Sequence, residues 1–226
     1  ATNCLYGTKR MNEIAHIVSC SSAPWCAWLM FGLLICALLS EAYQPGVITQ
    51  AKNSLSAQTD RMYKESPATL MGQLLMGIFR IGIIAMAIYL CCTTEAFTIK
   101  GYGVIYGIVL AGLSIKMLCH LFIDFTFDLS RHFGSPYEHY GNIVTLVTVL
   151  LYPVLLILMR VGSPILNRWL VGSIAVVFLL IWFYRSWKQF VNSPIAILYL
   201  LIYSLTLELL PWALLFIISD QIIAIL

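Results

Sequence analysis

The sequence predicts an all-α, polytopic transmembrane helix bundle of six spans, and three observations carry that expectation. Of 226 residues, 61% are hydrophobic and 10% are charged, where ordinary soluble domains run roughly 45–50% apolar and 25% charged. Mean hydropathy is +0.89, and so few charges cannot solvate the surface of a globule. The apolar residues gather in runs close to the ~20 residues that a spanning helix needs, and none alternates as a barrel strand would. Helices satisfy their own backbone polar groups in lipid, so a bundle follows. A net charge of +3 with no basic cluster excludes a nucleic-acid-binding or disordered chain.

Residues 1–23 form an extramembrane segment, residues 24–219 the six-span domain and residues 220–226 a C-terminal tail. The first span covers about 25–43 and opens after Pro24. The second, about 68–92, follows Ser66-Pro67, a good helix start because proline loses nothing at the first helical position. The third runs from about 102 to 123. The fourth, 141–159, and the fifth, 166–184, are joined by a tight turn from Val161 to Pro164, and the sixth spans 194–219. Between the first two spans, Ile48, Ala51, Leu55 and Met62 recur at helical spacing opposite Lys52, Gln58, Asp60 and Arg61. That pattern fits an amphipathic helix in the headgroup layer or a soluble helix packed on the bundle.

Six spans place both termini on one side. The even-numbered turns carry Lys52, Arg61, Lys64, Arg131, Arg185 and Lys188, and the other face carries Lys100, Arg160 and Arg168 near a span. The positive-inside rule then puts the termini outside the cytoplasm. The chain starts without Met and reads as a processed or trimmed form. Cys20 ends a faint lipoprotein-like box that Glu13 and His16 spoil. The seven cysteines, Cys4, Cys20, Cys26, Cys36, Cys91, Cys92 and Cys119, form no CxxC pair and read as small hydrophobes.

Charges at membrane depth are the sharpest chemistry, since each costs at least about 2.5–3.5 kcal/mol on the insertion scale. Arg80 lies at the midpoint of the second span and Glu208 just past that of the sixth, both too deep to reach a headgroup layer easily. Either Arg80 or Lys116, in the third span, can neutralise Glu208. From Lys116 a series at a spacing of four, His120, Asp124, Asp128 and His132, forms a polar seam along one side of a helix. Its plain alternative is a long third helix that leaves the bilayer near His120. Pro153 and Pro211 are expected to break the fourth and sixth spans, displacing the carbonyls of Val149 and Leu207. Gly103, Gly107 and Ala111 read as a close helix-contact face. Asn142 opens the fourth span, as a cap or as a partner of the seam.

No GxSxG, HExxH, phosphate-binding loop or dinucleotide fingerprint occurs. Asp124 and Asp128 are the only close acidic pair that might hold Mg²⁺ for a lipid or isoprenoid substrate, but such sites usually supply more carboxylates. His120 alone is placed for a haem ligand. Asp128, His132, Glu138 and His139 have metal-ligand chemistry but read more simply as a solvated turn. No metal or cofactor is expected, and the balance leans away from an enzyme.

The run Leu198–Leu215, LYLLIYSLTLELLPWALL, resembles the signature of a family of Bacteroidota inner-membrane proteins catalogued as a numbered domain of unknown function (4271). The match rests on Tyr203, Thr206, Leu207, Glu208, Leu210 and Pro211, with Lys116, Asn142 and Pro153 in corresponding places, and extends over about Ala23 to Phe216. The resemblance implies a bacterial inner-membrane location and carries no activity. Arg80, Asp124 and Asp128 fall outside its pattern.

Three functions follow. The first is a non-enzymatic scaffold or assembly subunit, fixed by a buried Lys116–Glu208–Asn142 network and partnered by the bilayer and by other membrane subunits or a second copy. The second is a proton- or ion-coupled transporter or channel, with Glu208 titrating and the Lys116–Asp128 seam as access path. The third is a membrane enzyme using Asp124 and Asp128.

Overall fold

A computed structural model describes residues 24–46, 48–49, 70–92, 98–127, 136–161, 164–190 and 210–225. All of its regular structure is helical: α1 (Pro24–Tyr43), α2 (Leu70–Cys92), α3 (Ile99–Phe127), α4 (Pro136–Val161), α5 (Pro164–Phe190) and α6 (Leu210–Ile225). Four helical segments, in α1 to α4, are long and apolar enough to cross a membrane, and α5 and α6 contribute shorter apolar stretches, Ile165–Ile181 and Leu210–Ser219. Residues 194–209, the first part of the expected sixth span, and most of the expected amphipathic helix lie outside the described residues.

Local chemistry sets the helix ends. Pro24, Pro136 and Pro164 each begin a helix, where a missing N–H costs nothing. Thr98 caps α3: its Oγ1 accepts from Gly101 N at 3.2 Å and its carbonyl from Tyr102 N at 3.1 Å. After α1 the chain turns at Gly46, whose φ of +94° suits glycine, and Gly46 N donates to Glu41 Oε1 at 2.7 Å.

The architecture is organised around α2, which touches each of the other five helices. Some 61% of its apolar stretch is buried, against 22–39% in the other three spanning candidates. From Ala85 to Cys92 every residue is buried, as an apolar helix without a polar face must be when it fills the middle of a bundle. Lipid tails are as apolar as leucine, so fit and interhelical hydrogen bonds, not hydrophobic transfer, hold such helices together. Gly82 lets α1 approach, since a Cβ there would fall 2.5 Å from Leu33 Cδ2. Ser40 Oγ donates to the Gly72 carbonyl at 2.8 Å, and Tyr102 OH to that of Gly82 at 3.3 Å. Tyr89 OH accepts from Thr98 N at 2.8 Å and Arg168 Nε donates to the Cys91 carbonyl at 2.7 Å, tying the end of α2 to the starts of α3 and α5. Trp25 packs on Tyr102, which places the start of α1 at that same end.

Exposed aromatic residues mark two levels. Trp28 and Trp169 stand outward near the starts of α1 and α5, and Tyr43 and Tyr184 stand outward fifteen residues later on the same helices. At 1.5 Å per residue the levels are about 22 Å apart, a spacing suited to aromatic belts on a tilted bundle.

Several expectations change. Gly103, Gly107 and Ala111 are exposed, with nothing within 4 Å of a Cβ at either glycine. The bundle-facing side of α3 instead carries Tyr102, Ile105, Val109 and Lys116, and the close approach is at Gly112, where a Cβ would meet Leu215 Cδ2 at 2.6 Å. Pro153 does not break its span: α4 runs through it uninterrupted, because one lost ladder bond is tolerated where neighbouring helices support the backbone. Asn142 does not cap α4, which begins six residues earlier at Pro136. The expected tail continues the last helix to Ile225.

The Gly82 contact is directly testable. Alanine improves helix propensity at either glycine, but only at Gly82 does it meet a neighbour. Gly82→Ala should unfold at lower temperature in detergent than Gly77→Ala, a difference of about 1 kcal/mol or more. Equal midpoints would contradict the close α1–α2 contact.

Candidate functional site

The polar residues singled out at membrane depth lie on separate helix contacts. Lys116 is on α3, 4% exposed, with Nζ 5.7 Å from the centroid of the Trp212 ring on α6. A cation over an indole face is attracted by the ring quadrupole, more strongly once both are out of water. Lys116 lies inside the apolar segment Ile99–Cys119, and α3 continues through His120 and Asp124 to Phe127. Those two share α3 with Lys116, though their side chains, like all of Asp128 and His132, are outside the described residues. The seam's first three members are thus on one helix.

Arg80 is directed to α4. A Cβ on Gly141 would lie 3.5 Å from Arg80 Nη1. On a helix each Cα–Cβ bond tilts toward the N-terminus, so the side chain leans from the middle of α2 toward the end where α4 begins. Long basic side chains commonly reach toward a membrane surface in this way. Gly141 supplies the room, and Asn142 beside it is half-buried. One turn on, Thr145 Oγ1 donates back to the Gly141 carbonyl at 2.8 Å, and Thr148 Oγ1 bonds the carbonyls of Val144 and Thr145, each at 2.9 Å. This start of α4 is the polar part of an otherwise apolar helix.

Glu208 lies outside the described residues. Pro211 is the second residue of the described part of α6, and what precedes it is likewise outside. Of the set Asp128, His132, Glu138 and His139, the last two lie in the first turn of α4 and not in a loop, and none of the four has a described side chain. Sequence reasoning missed Trp212 and Gly141. Trp212 stands four residues after Glu208, the spacing of neighbours on one helix face, which was the available signal. Gly141 carried none beyond being small.

Two other buried groups stand apart from this set. Asn167, 2% exposed at the start of α5, has an Oδ1 without a hydrogen-bond partner among the described residues, and its carbonyl accepts from Cys91 Sγ at 3.8 Å. The Trp212 Nε1 and Ser219 Oγ on α6 are also buried without a described partner. As it stands, the arrangement can fix helix register through buried polar contacts; no described group is set up to attack or to transfer a proton to a substrate.

A double-mutant cycle tests the α3–α6 contact. Lys116→Met and Trp212→Leu should couple by about 0.5–2 kcal/mol in thermal unfolding. Additive effects would remove the cation–π contact from the account.

No curated protein and no solved structure matches this chain. A family model does, over residues 26–218, under the description "Domain of unknown function (DUF4271)". The matched region runs from the third residue of α1 into α6 and takes in Arg80, Lys116, Asn142 and Glu208. The chain belongs to the DUF4271 family.

Proposed function

We propose that this protein is a non-enzymatic scaffold or assembly subunit of a membrane complex, with six spans, in a bacterial inner membrane. The observation that supports this reading best is the filled centre of the bundle. Its axis is occupied by α2, whose Met76, Ile83, Met86 and Leu90 pack with Met30, Ile105, Leu155 and Leu158, all under 2% exposed. A transporter needs a polar route or a broken helix at mid-depth; among the described residues the centre is filled by apolar side chains and α4 runs unbroken through Pro153. Large apolar side chains on α1, α3 and α5 face outward, among them Phe31, Leu38, Leu118, Phe122, Val177 and Leu180. These faces suit lipid and neighbouring subunits alike.

In this reading Lys116 is the mate of Glu208. Lys116 contacts Trp212, and Glu208 precedes Trp212 by the four residues that separate neighbours on a helix face. Arg80 then belongs to the polar start of α4 at Gly141 and Asn142. The network's value is specificity of packing more than net stability. The charge count of the loops supports a cytoplasmic location for the even-numbered turns and an external one for both termini.

Mild crosslinking in native membranes, followed by purification, tests the proposal. A stoichiometric membrane partner, or a defined homo-oligomer, should be recovered. Glu208→Gln should lower its recovery while reconstituted wild-type protein shows no proton-coupled flux. Purification as a lone monomer after crosslinking, or a flux abolished by Glu208→Gln in a folded protein, would overturn it.

A further inference from the structure

We propose that the end of the bundle where α2 and α4 finish and α3 and α5 begin binds the phosphate of an anionic phospholipid headgroup, with Arg168 as the principal contact. The inference rests on the membrane placement of the chain and is independent of the scaffold role.

Arg168 is exposed, yet it is not a loose surface side chain. Its Nε donates to the Cys91 carbonyl at 2.7 Å, at the negative end of the α2 dipole. A guanidinium is a rigid planar fork, so fixing Nε also fixes the direction of both terminal nitrogens. Among the described residues those nitrogens have no partner, and a phosphate accepts such a pair in bidentate fashion. The fork is therefore oriented before any ligand arrives.

The surroundings select a lipid over a soluble anion. Trp169, the next residue, is 76% exposed, and indoles of this kind settle at headgroup level. Ile165 and Leu166, one turn earlier, are also exposed and give acyl chains an apolar wall to lie on. The same end carries exposed Lys100, in the first turn of α3, and exposed Arg160, in the last turn of α4. Lys100 is held near the end of α2 by the Thr98–Tyr89 bond. Among the described side chains this end presents these three cations, an excess over Glu95, which the sequence places in the connection between α2 and α3 outside the described residues, and a charge pattern complementary to an anionic headgroup.

Native mass spectrometry of the full chain from micelles holding equal amounts of dioleoylphosphatidylglycerol and dioleoylphosphatidylcholine reads the preference directly. The wild type should retain phosphatidylglycerol selectively. Arg168→Gln should weaken that preference about fivefold or more. Because that change also removes the bond to Cys91, a second variant carrying Lys100→Gln and Arg160→Gln leaves the end of α2 untouched; its preference should fall as well. Excess inorganic phosphate should not displace the lipid. Equal retention of the two lipids by the wild type overturns the proposal, as does a full preference in the Lys100→Gln, Arg160→Gln variant. Displacement by inorganic phosphate overturns the assignment to a lipid.

Discussion

The structure depends on the burial of the second half of α2, where every residue from Ala85 to Cys92 is buried, while Leu70, Met71, Leu74 and Ile78 of its first half are exposed. Five helices touch α2, and it is held by contacts of three kinds: the notch at Gly82 filled by Leu33, the hydrogen bonds from Ser40 and Tyr102 to its backbone, and the bonds of Tyr89 and Arg168 at its last turn. A helix in water would reach that position through hydrophobic transfer. In lipid the alternative surroundings are equally apolar, so shape and polar contacts decide. This is why glycines and hydroxyls sit where the helices meet most closely, with Leu33 and Leu215 of the neighbouring helices lying against the glycines.

The same constraint organises the charges. A cation within the bilayer is tolerated when it leans to an interface, faces a ring or meets an acceptor. Arg80 leans along α2 to the polar start of α4, and Lys116 lies over Trp212. Hydroxyls inside α4 return their bonds to carbonyls of their own helix, as Thr145 and Thr148 do. Each polar side chain thus acts on the backbone or on one neighbouring helix, which suits an architecture that specifies packing.

The fold class and the membrane-crossing character of the first four helices were legible in composition and run length. Which helix is central was not. Within their apolar segments α4 is at least as hydropathic as α2, yet less buried, because a lipid-facing side chain and a core side chain obey the same transfer energetics in a membrane. The stripe Gly103, Gly107 and Ala111 misled for a related reason: spacing reports that three residues share a face, and says nothing about which face meets the bundle. Lys116 was legible as a site because its charge is costly at that depth. Its contact with Trp212 was hidden, since a tryptophan in an apolar run looks like any other large hydrophobe.

The most direct test of the central role of α2 is photolabelling of the native protein in membranes with a lipid-soluble diazirine, mapped residue by residue by mass spectrometry. Residues 85–92 of α2 should remain unlabelled on every face, while exposed positions such as Phe31 of α1, Leu118 of α3, Val177 of α5 and Leu74 in the first half of α2 are labelled. Labelling of residues 85–92 as heavy as that of α1, or on any one face of them, would contradict the account.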